Sequence, residues 1–228
     1  MAGENSHASD RIELFATIAL TIATILTAWS AFQASKWSGV QAIYFSEASA
    51  ARTESAKSAT RSGQQSIVDV NTFTSWATAI ANERRDDPTS SLGPDGRYQP
   101  DPSTLSGFFY ERFRDEFKPS VDEWLALDPI DNPGAPPTPF DLASYDNEAT
   151  TEAERLEGLA ERKAQDARDS NQRSDNYVLT TVIFAAVLFF GGVSAKLRSR
   201  RNQLLALGFA IIVLIGTTIV VATFPIEI

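Results

Sequence analysis

Three uncharged apolar runs interrupt an otherwise polar chain: Leu14 to Phe32, Tyr177 to Ala195 and Leu204 to Phe224. Each is close to the ~20 residues that a helix needs to cross a ~30 Å hydrocarbon layer. The pattern predicts transmembrane helices at 13–32, 177–195 and 204–224. A cleaved signal peptide is the competing reading of the first run. Its leading segment holds Glu4, Asp10 and Glu13 against Arg11, where a signal sequence needs net positive charge.

Between the first and second runs the polar positions keep helical order. No proline occurs before Pro88, whereas ten of the chain's 11 prolines fall between Pro88 and Pro139. Small and apolar positions at Ala48, Ala51, Ser55, Ala59, Ser62, Ser66, Val70, Phe73, Ala77 and Ala81 step by three or four. Ala48, Ala59, Val70 and Ala81 recur every eleven residues, which predicts nearly straight or gently right-handed helix pairing. The partner is the proline-free stretch before the second run, with a stripe at Leu156, Ala160, Lys163, Ala167, Asn171, Ser174 and Val178. Because Val178 already lies in the apolar run, this helix enters the membrane unbroken, as the first leaves it through Trp37 and Tyr44.

A returning arm over 148–176 rises ~44 Å at 1.5 Å per residue, and 33–62 matches it. A bend or stop is therefore expected near Gly63, with a separate helix over 65–84 beyond it. The segment 63–147 then forms a cap. In it Leu105, Phe109, Phe113 and Phe117 follow helical spacing, and Pro119 opens a short helix, 120–127, with Val121, Trp124 and Leu125. Such a stripe reads as core: Phe109, Phe113, Phe117 and Trp124 against Val68, Phe73, Trp76 and Ile80. Pro94–Gly96 imposes a turn, and Pro133 to Pro139 a stiff connector.

Charge sets the expected orientation. Lys196, Arg198, Arg200 and Arg201 crowd the loop 196–203, and basic residues in short loops stay cytoplasmic. The tail 1–12 is then cytoplasmic. Residues 33–176 and the carboxyl end 225–228 are extracytoplasmic, in a multi-pass protein of the cell membrane. Of the chain's 29 acidic residues, 25 fall within 33–176, a surface that disfavours nucleic acid and suits solvent or basic partners. Trp29, Trp37 and Tyr177 sit where the outer interface should be, as amphipathic rings prefer.

Chemistry narrows the function further. With no cysteine, thiolate catalysis and disulfides are excluded, and the single histidine, His7, lies in the terminal tail. The clusters Glu83, Asp86, Asp87 and Asp128, Asp131, Asn132 lack the spacing of a calcium loop and read as solvated charge. No phosphate loop, nucleophile elbow or zinc spacing occurs, so no cofactor, metal or catalytic residue is assigned. No ionisable side chain sits mid-span, which argues against proton-coupled transport and voltage sensing. Thr17, Thr21, Thr24 and Ala28 share one face of the first span. That face suits close helix packing, with the hydroxyls bonded to their own helix, or the lining of an oligomeric pore.

The segment AWSAFQASKWSGVQA at 28–42, together with the two-span end from Tyr177 to Phe224, resembles a loose group of uncharacterised bacterial three-span membrane proteins. The resemblance implies one amino-terminal span, a helical insertion and a closing two-span hairpin. It brings no activity with it.

These readings predict an all-α membrane protein with three transmembrane helices, a long antiparallel helical stalk and a proline-rich, partly helical extracytoplasmic cap. The expected role is a non-enzymatic membrane scaffold or interaction protein. Its partners are the lipid bilayer and either further copies of itself or a larger envelope complex, with no nucleic acid and no small-molecule substrate identified. The alternatives are a channel-forming homo-oligomer with Thr17, Thr21 and Thr24 on its axis and a sensor whose cap binds a small ligand.

Overall fold

The computed structural model describes residues 2–93, 96–129 and 132–228, with side chains from Ile12 onward. Helix α1 spans Ala2–Asp86, α2 Leu105–Tyr110, α3 Lys118–Ala126, α4 Glu148–Ser194 and α5 Arg200–Val221, with a single 3-10 turn at Pro139–Asp141. Three of these helices, α1, α4 and α5, are long and apolar enough to cross a membrane. Among the described residues no strand forms; one isolated bridge joins Leu92 to Tyr98. The chain divides into two compact units, one of Met1–Ala50 with Ala160–Ile228 and one of Ala51–Leu159.

In the first unit α1, α4 and α5 pack with small residues at their closest approach. Ser174 Oγ donates to the Ala34 carbonyl at 2.9 Å. A side chain at Gly191 would come within 2.8 Å of Leu20. These two pairings make α1 and α4 antiparallel, and the Glu47–Lys163 ion pair at 2.8 Å continues the register. Helix α5 returns along α4, with Phe190 against Phe209 and Tyr177 against Phe224. The buried centre combines Ala19, Ala23, Phe184, Val187, Ala210 and Leu214. Alanine at these positions brings backbones together, which gives dispersion contact where lipid removes any hydrophobic drive for helices to associate.

The α4 seam departs from the stripe expected of it. Ala160, Ala167 and Ser174 are buried as anticipated, but Asn171 and Val178 are exposed, and Ser170 and Tyr177 take their places. The seam steps seven residues from Ala160 to Ala167 to Ser174, so each site one residue away turns outward.

The second unit is built on the other part of α1. Ser55 Oγ donates to the Ala153 carbonyl at 2.8 Å, and Ser62 Oγ meets Thr150 Oγ1 at 2.6 Å. Asn147 caps α4, accepting the Ala149 N–H, and its amide donates to the Ser62 carbonyl at 3.3 Å. Beyond this the inward positions of α1 are Asp69, Phe73, Trp76 and Ile80, which pack with Tyr110, Phe113, Phe117 and Val121 into an aromatic core. Phe117 lies at its centre, stacked on Phe140 at 5.0 Å and edge-on to Phe113 and Tyr145.

Several expectations need correction here. The eleven-residue period is not the one the burial follows, because Ala59, Val70 and Ala81 are exposed. Ser55, Ser62, Asp69 and Trp76 mark the seam instead, seven residues apart, a spacing that belongs to the left-handed class of helix pairing. For the same reason Val68 is 50 % exposed: it lies one residue, about 100° of helix rotation, from the inward Asp69. The helix also passes through Gly63 uninterrupted and ends at Asp86, ahead of Pro88, so 65–84 is not a separate helix. A helical glycine costs about 1 kcal/mol, less than the contacts that flank it supply, whereas the residue before a proline is driven out of helical geometry. Helix α1 already begins at Ala2, within the tail expected over 1–12, since extending an existing helix is cheap next to nucleating one.

The aromatic stripe does not form one helix. Helix α2 stops at Tyr110, and residues 111–117 turn so that Phe113 and Phe117 both reach the core while Leu105 stays 57 % exposed. Thr104 caps the Gly107 N–H at 3.0 Å. Gly107 lies so close to the Asp101 carbonyl that a Cβ would sit 1.9 Å from its oxygen, and only glycine fits. Pro119 stands in the first turn of α3, which runs Lys118–Ala126. Of the expected turn at 94–96, Pro94 and Asp95 lie outside the described residues; Gly96 has a left-handed φ of 77°.

One ion pair ties the turn to α1. Arg114 donates from Nε and Nη2 to the two Asp69 oxygens, each at 2.9 Å, and the Asp69 side chain is fully buried. The hydrogen bonds to Asp69 raise the Arg114 pKa, so the guanidinium stays charged. The Tyr145 hydroxyl donates to Asp69 Oδ2 at 3.3 Å and completes the shell.

Two stability outcomes follow. Asp69→Ala leaves a half-buried guanidinium without its partner and should destabilise the second unit by about 3–5 kcal/mol, read as a lower denaturation midpoint. Gly63→Ala, with open space around the new methyl, should stabilise by about 0.5–1 kcal/mol; a loss of stability would show that α1 bends there.

Candidate functional site

The first unit carries the features that sequence patterning assigned to the membrane. Large apolar side chains point outward from all three spans: Ile18, Ile22 and Ile25 on α1, Val182 and Phe189 on α4, Ile212, Ile215 and Ile219 on α5. Such a surface is unsuited to water and suited to hydrocarbon. Thr17, Thr21, Thr24 and Ala28 all lie on this outer side. Their hydroxyls donate to the carbonyls of Glu13, Thr17 and Leu20, each at 2.9 Å, so none is left seeking a partner.

The basic residues cluster where α4 gives way to α5. Lys196 and Arg198 occupy the connecting turn, while Arg200 and Arg201 form the first turn of α5. The expected loop 196–203 is thus shorter, ending at Ser199. Cations at a helix amino terminus oppose the macrodipole by about 0.3–1 kcal/mol each, and Ser199 makes no side-chain capping bond to offset this.

At the opposite end of the bundle, hydrogen bonds gather the carboxyl tail. Gln33, wholly buried within α1, donates from Nε2 to the Glu227 carbonyl at 3.0 Å and accepts the Glu227 N–H at 2.9 Å. Trp37 Nε1 and the Tyr177 hydroxyl both donate to the Pro225 carbonyl, at 3.1 and 3.2 Å. Arg173 stacks over Trp37 at 4.5 Å. Trp37 and Tyr177, expected as interfacial rings, are therefore buried and hold the tail. Trp29 is 41 % exposed beside Phe32.

This clasp was hidden from the sequence. Gln33 directly follows the first apolar run, and the tail 225–228 carries no motif. The weak signal was a polar residue able both to donate and to accept, placed level with Tyr177 when α1 and α4 are aligned antiparallel.

In the second unit, the residues expected as core divide by depth. Phe73, Trp76, Phe113 and Phe117 are buried, while Phe109 and Trp124 are half-buried against them. The acidic clusters hold internal hydrogen bonds. Asp87 accepts from the Thr89 N–H and hydroxyl. Glu83 accepts from the Ser106 N–H and hydroxyl and from Ser91. Burial opposes the Glu83 charge, but these bonds outweigh it and hold the carboxyl below its usual range. Of the other cluster, Asp131 lies outside the described residues. No group of three metal-ligating side chains converges among the described residues. The chain matches no family model, no curated protein and no solved structure.

The clasp is testable without knowing the function. Gln33→Leu removes both tail bonds while keeping side-chain volume, so amide exchange at Glu227 should quicken about tenfold or more, as the loss of two hydrogen bonds of about 1 kcal/mol each implies.

Proposed function

We propose that this protein is a non-enzymatic integral membrane scaffold or interaction protein, acting through lateral contacts of its spans with further copies or with a larger membrane complex. The observation that carries the reading is the outward face of α1: Thr17, Thr21, Thr24 and Ala28 are exposed and small, and the three hydroxyls are bonded within the helix. In hydrocarbon such a face gains little from lipid but permits close helix contact. The bilayer is the first partner of the exposed apolar surface on α1, α4 and α5.

In this reading the basic turn, Lys196 to Arg201, is cytoplasmic. The clasp end is extracytoplasmic, together with residues 33–176 and the carboxyl tail. Support comes from the charge of the turn and from the acidity of the middle segment. That segment forms a stalk of paired α1 and α4 and an aromatic cap closed by the Asp69–Arg114 pair, a charged surface suited to recognition. The exposed threonine face also favours a second reading, a homo-oligomeric channel with those residues on its axis.

Mass measurement in native lipid nanodiscs should give an assembly larger than one chain, reduced by the bulky Thr21→Trp. Ion flux across liposomes, abolished by that variant, would replace the scaffold reading with the channel. A reporter fused to the carboxyl terminus should read as extracytoplasmic; a cytoplasmic signal would invert the topology.

A further inference from the structure

Between α4 and α5 the first unit has an open groove of about 390 Å³, lined by Ile183 of α4 and by Val213, Gly216, Thr217 and Val220 of α5. Both helices are long and apolar enough to be spans, so in a bilayer the groove meets hydrocarbon or another helix rather than water. A side chain at Gly216 would meet nothing within 4 Å. Glycine is among the poorest helix formers, and no contact among the described residues requires it there. What it permits is the approach of a second backbone from outside.

Thr217 carries the more specific signal. It is 8 % exposed and lines the groove, and among the described residues its hydroxyl has no hydrogen-bond partner. The neighbouring span threonines differ: Thr27, Thr180, Thr181 and Thr218 each donate to a carbonyl of their own helix. A free donor in hydrocarbon has no water to bond, so it calls for an acceptor that enters the groove. A lipid acyl chain has none.

The chain itself carries a matching surface. On α1 the hydroxyls of Thr21 and Thr24 have given their protons to their own helix, which leaves their oxygens able only to accept. Ala28 continues that exposed face. Depth agrees as well. Helix α5 runs back along α4 and so parallel to α1, and one buried cluster holds Ala19 and Ala23 of α1 with Ala210 and Leu214 of α5. The residues that follow, Thr24 and Ala28 on α1 and Thr217 and Val220 on α5, thus cross the bilayer at similar depth, in this copy and in any other inserted the same way.

We propose that the groove between α4 and α5 receives the face of α1 formed by Thr21, Thr24 and Ala28 from a second copy, with the Thr217 hydroxyl donating to a threonine oxygen of that face. The inference rests on the self-association reading above and gives it a partner surface. Two different surfaces meet, so the contact is heterologous, and copies joined this way close into a ring or extend in a line.

The chain has no cysteine, so introduced thiols report alone. Full-length chains carrying Ala28→Cys and Val220→Cys, co-expressed and treated in membranes with a short membrane-permeable bismaleimide, should give a cross-linked dimer that neither variant gives by itself. A cross-link between two Ala28→Cys chains would overturn the proposal and leave self-association standing, as would an assembly of several chains with no mixed cross-link. A single-chain mass in nanodiscs would remove the self-association reading together with this one. Gly216→Leu fills the groove without a clash inside the chain, and should reduce the assembly while the melting curve matches the parent; an unchanged assembly overturns the proposal. Thr217→Val, which keeps the shape and loses the donor, should lower the yield of mixed cross-link about threefold, the usual weight of a hydroxyl bond between spans.

Discussion

Close approach of α1 and α4 along a seam of alanine and serine is the constraint on which the rest depends. Small side chains bury little apolar area, so the pairing is held by backbone proximity and by hydroxyls that cross to the partner's carbonyls: Ser174 to Ala34 in one unit, Ser55 to Ala153 in the other. A larger residue at either place would push the helices apart and unmake contacts along several turns. The seam therefore fixes register, and register decides which side chains reach Pro225 and Glu227 in one unit and which face the aromatic core in the other.

The two units solve different solvation problems with the same helices. The first leaves isoleucine, valine and phenylalanine outside and puts alanine inside, the inverse of a water-soluble bundle. The second follows the aqueous rule. Its aromatic side chains are gathered inward around Phe117, and a deeply buried carboxylate, Asp69, is matched by a bidentate guanidinium. A change of period or of side-chain size has opposite meaning in the two settings.

Much of this was legible in the chain. The three spans, the unbroken entry of α4 into its apolar run and the burial of Phe73, Trp76, Phe113 and Phe117 follow from hydropathy and spacing alone. What misled was phase. Over a long alanine- and serine-rich helix, periods of seven and eleven pick out overlapping residues, and only the large side chains at 73, 76 and 80 decide between them. Gly63 misled because local propensity is a weak force beside a continuous seam. The clasp was out of reach, because it joins residues far apart in the chain through atoms that carry no pattern.

Gln33 holds Glu227 by its main-chain atoms alone, and the hydrogen bonds of Trp37 and Tyr177 likewise reach the main chain of Pro225. Such recognition is blind to which amino acids occupy 226 to 228. It measures instead how far the chain extends past its last crossing, so the closing strap works as a ruler. Sequence there is free to drift, while an insertion or deletion between Val221 and Pro225 would bring the wrong peptide group to the grip.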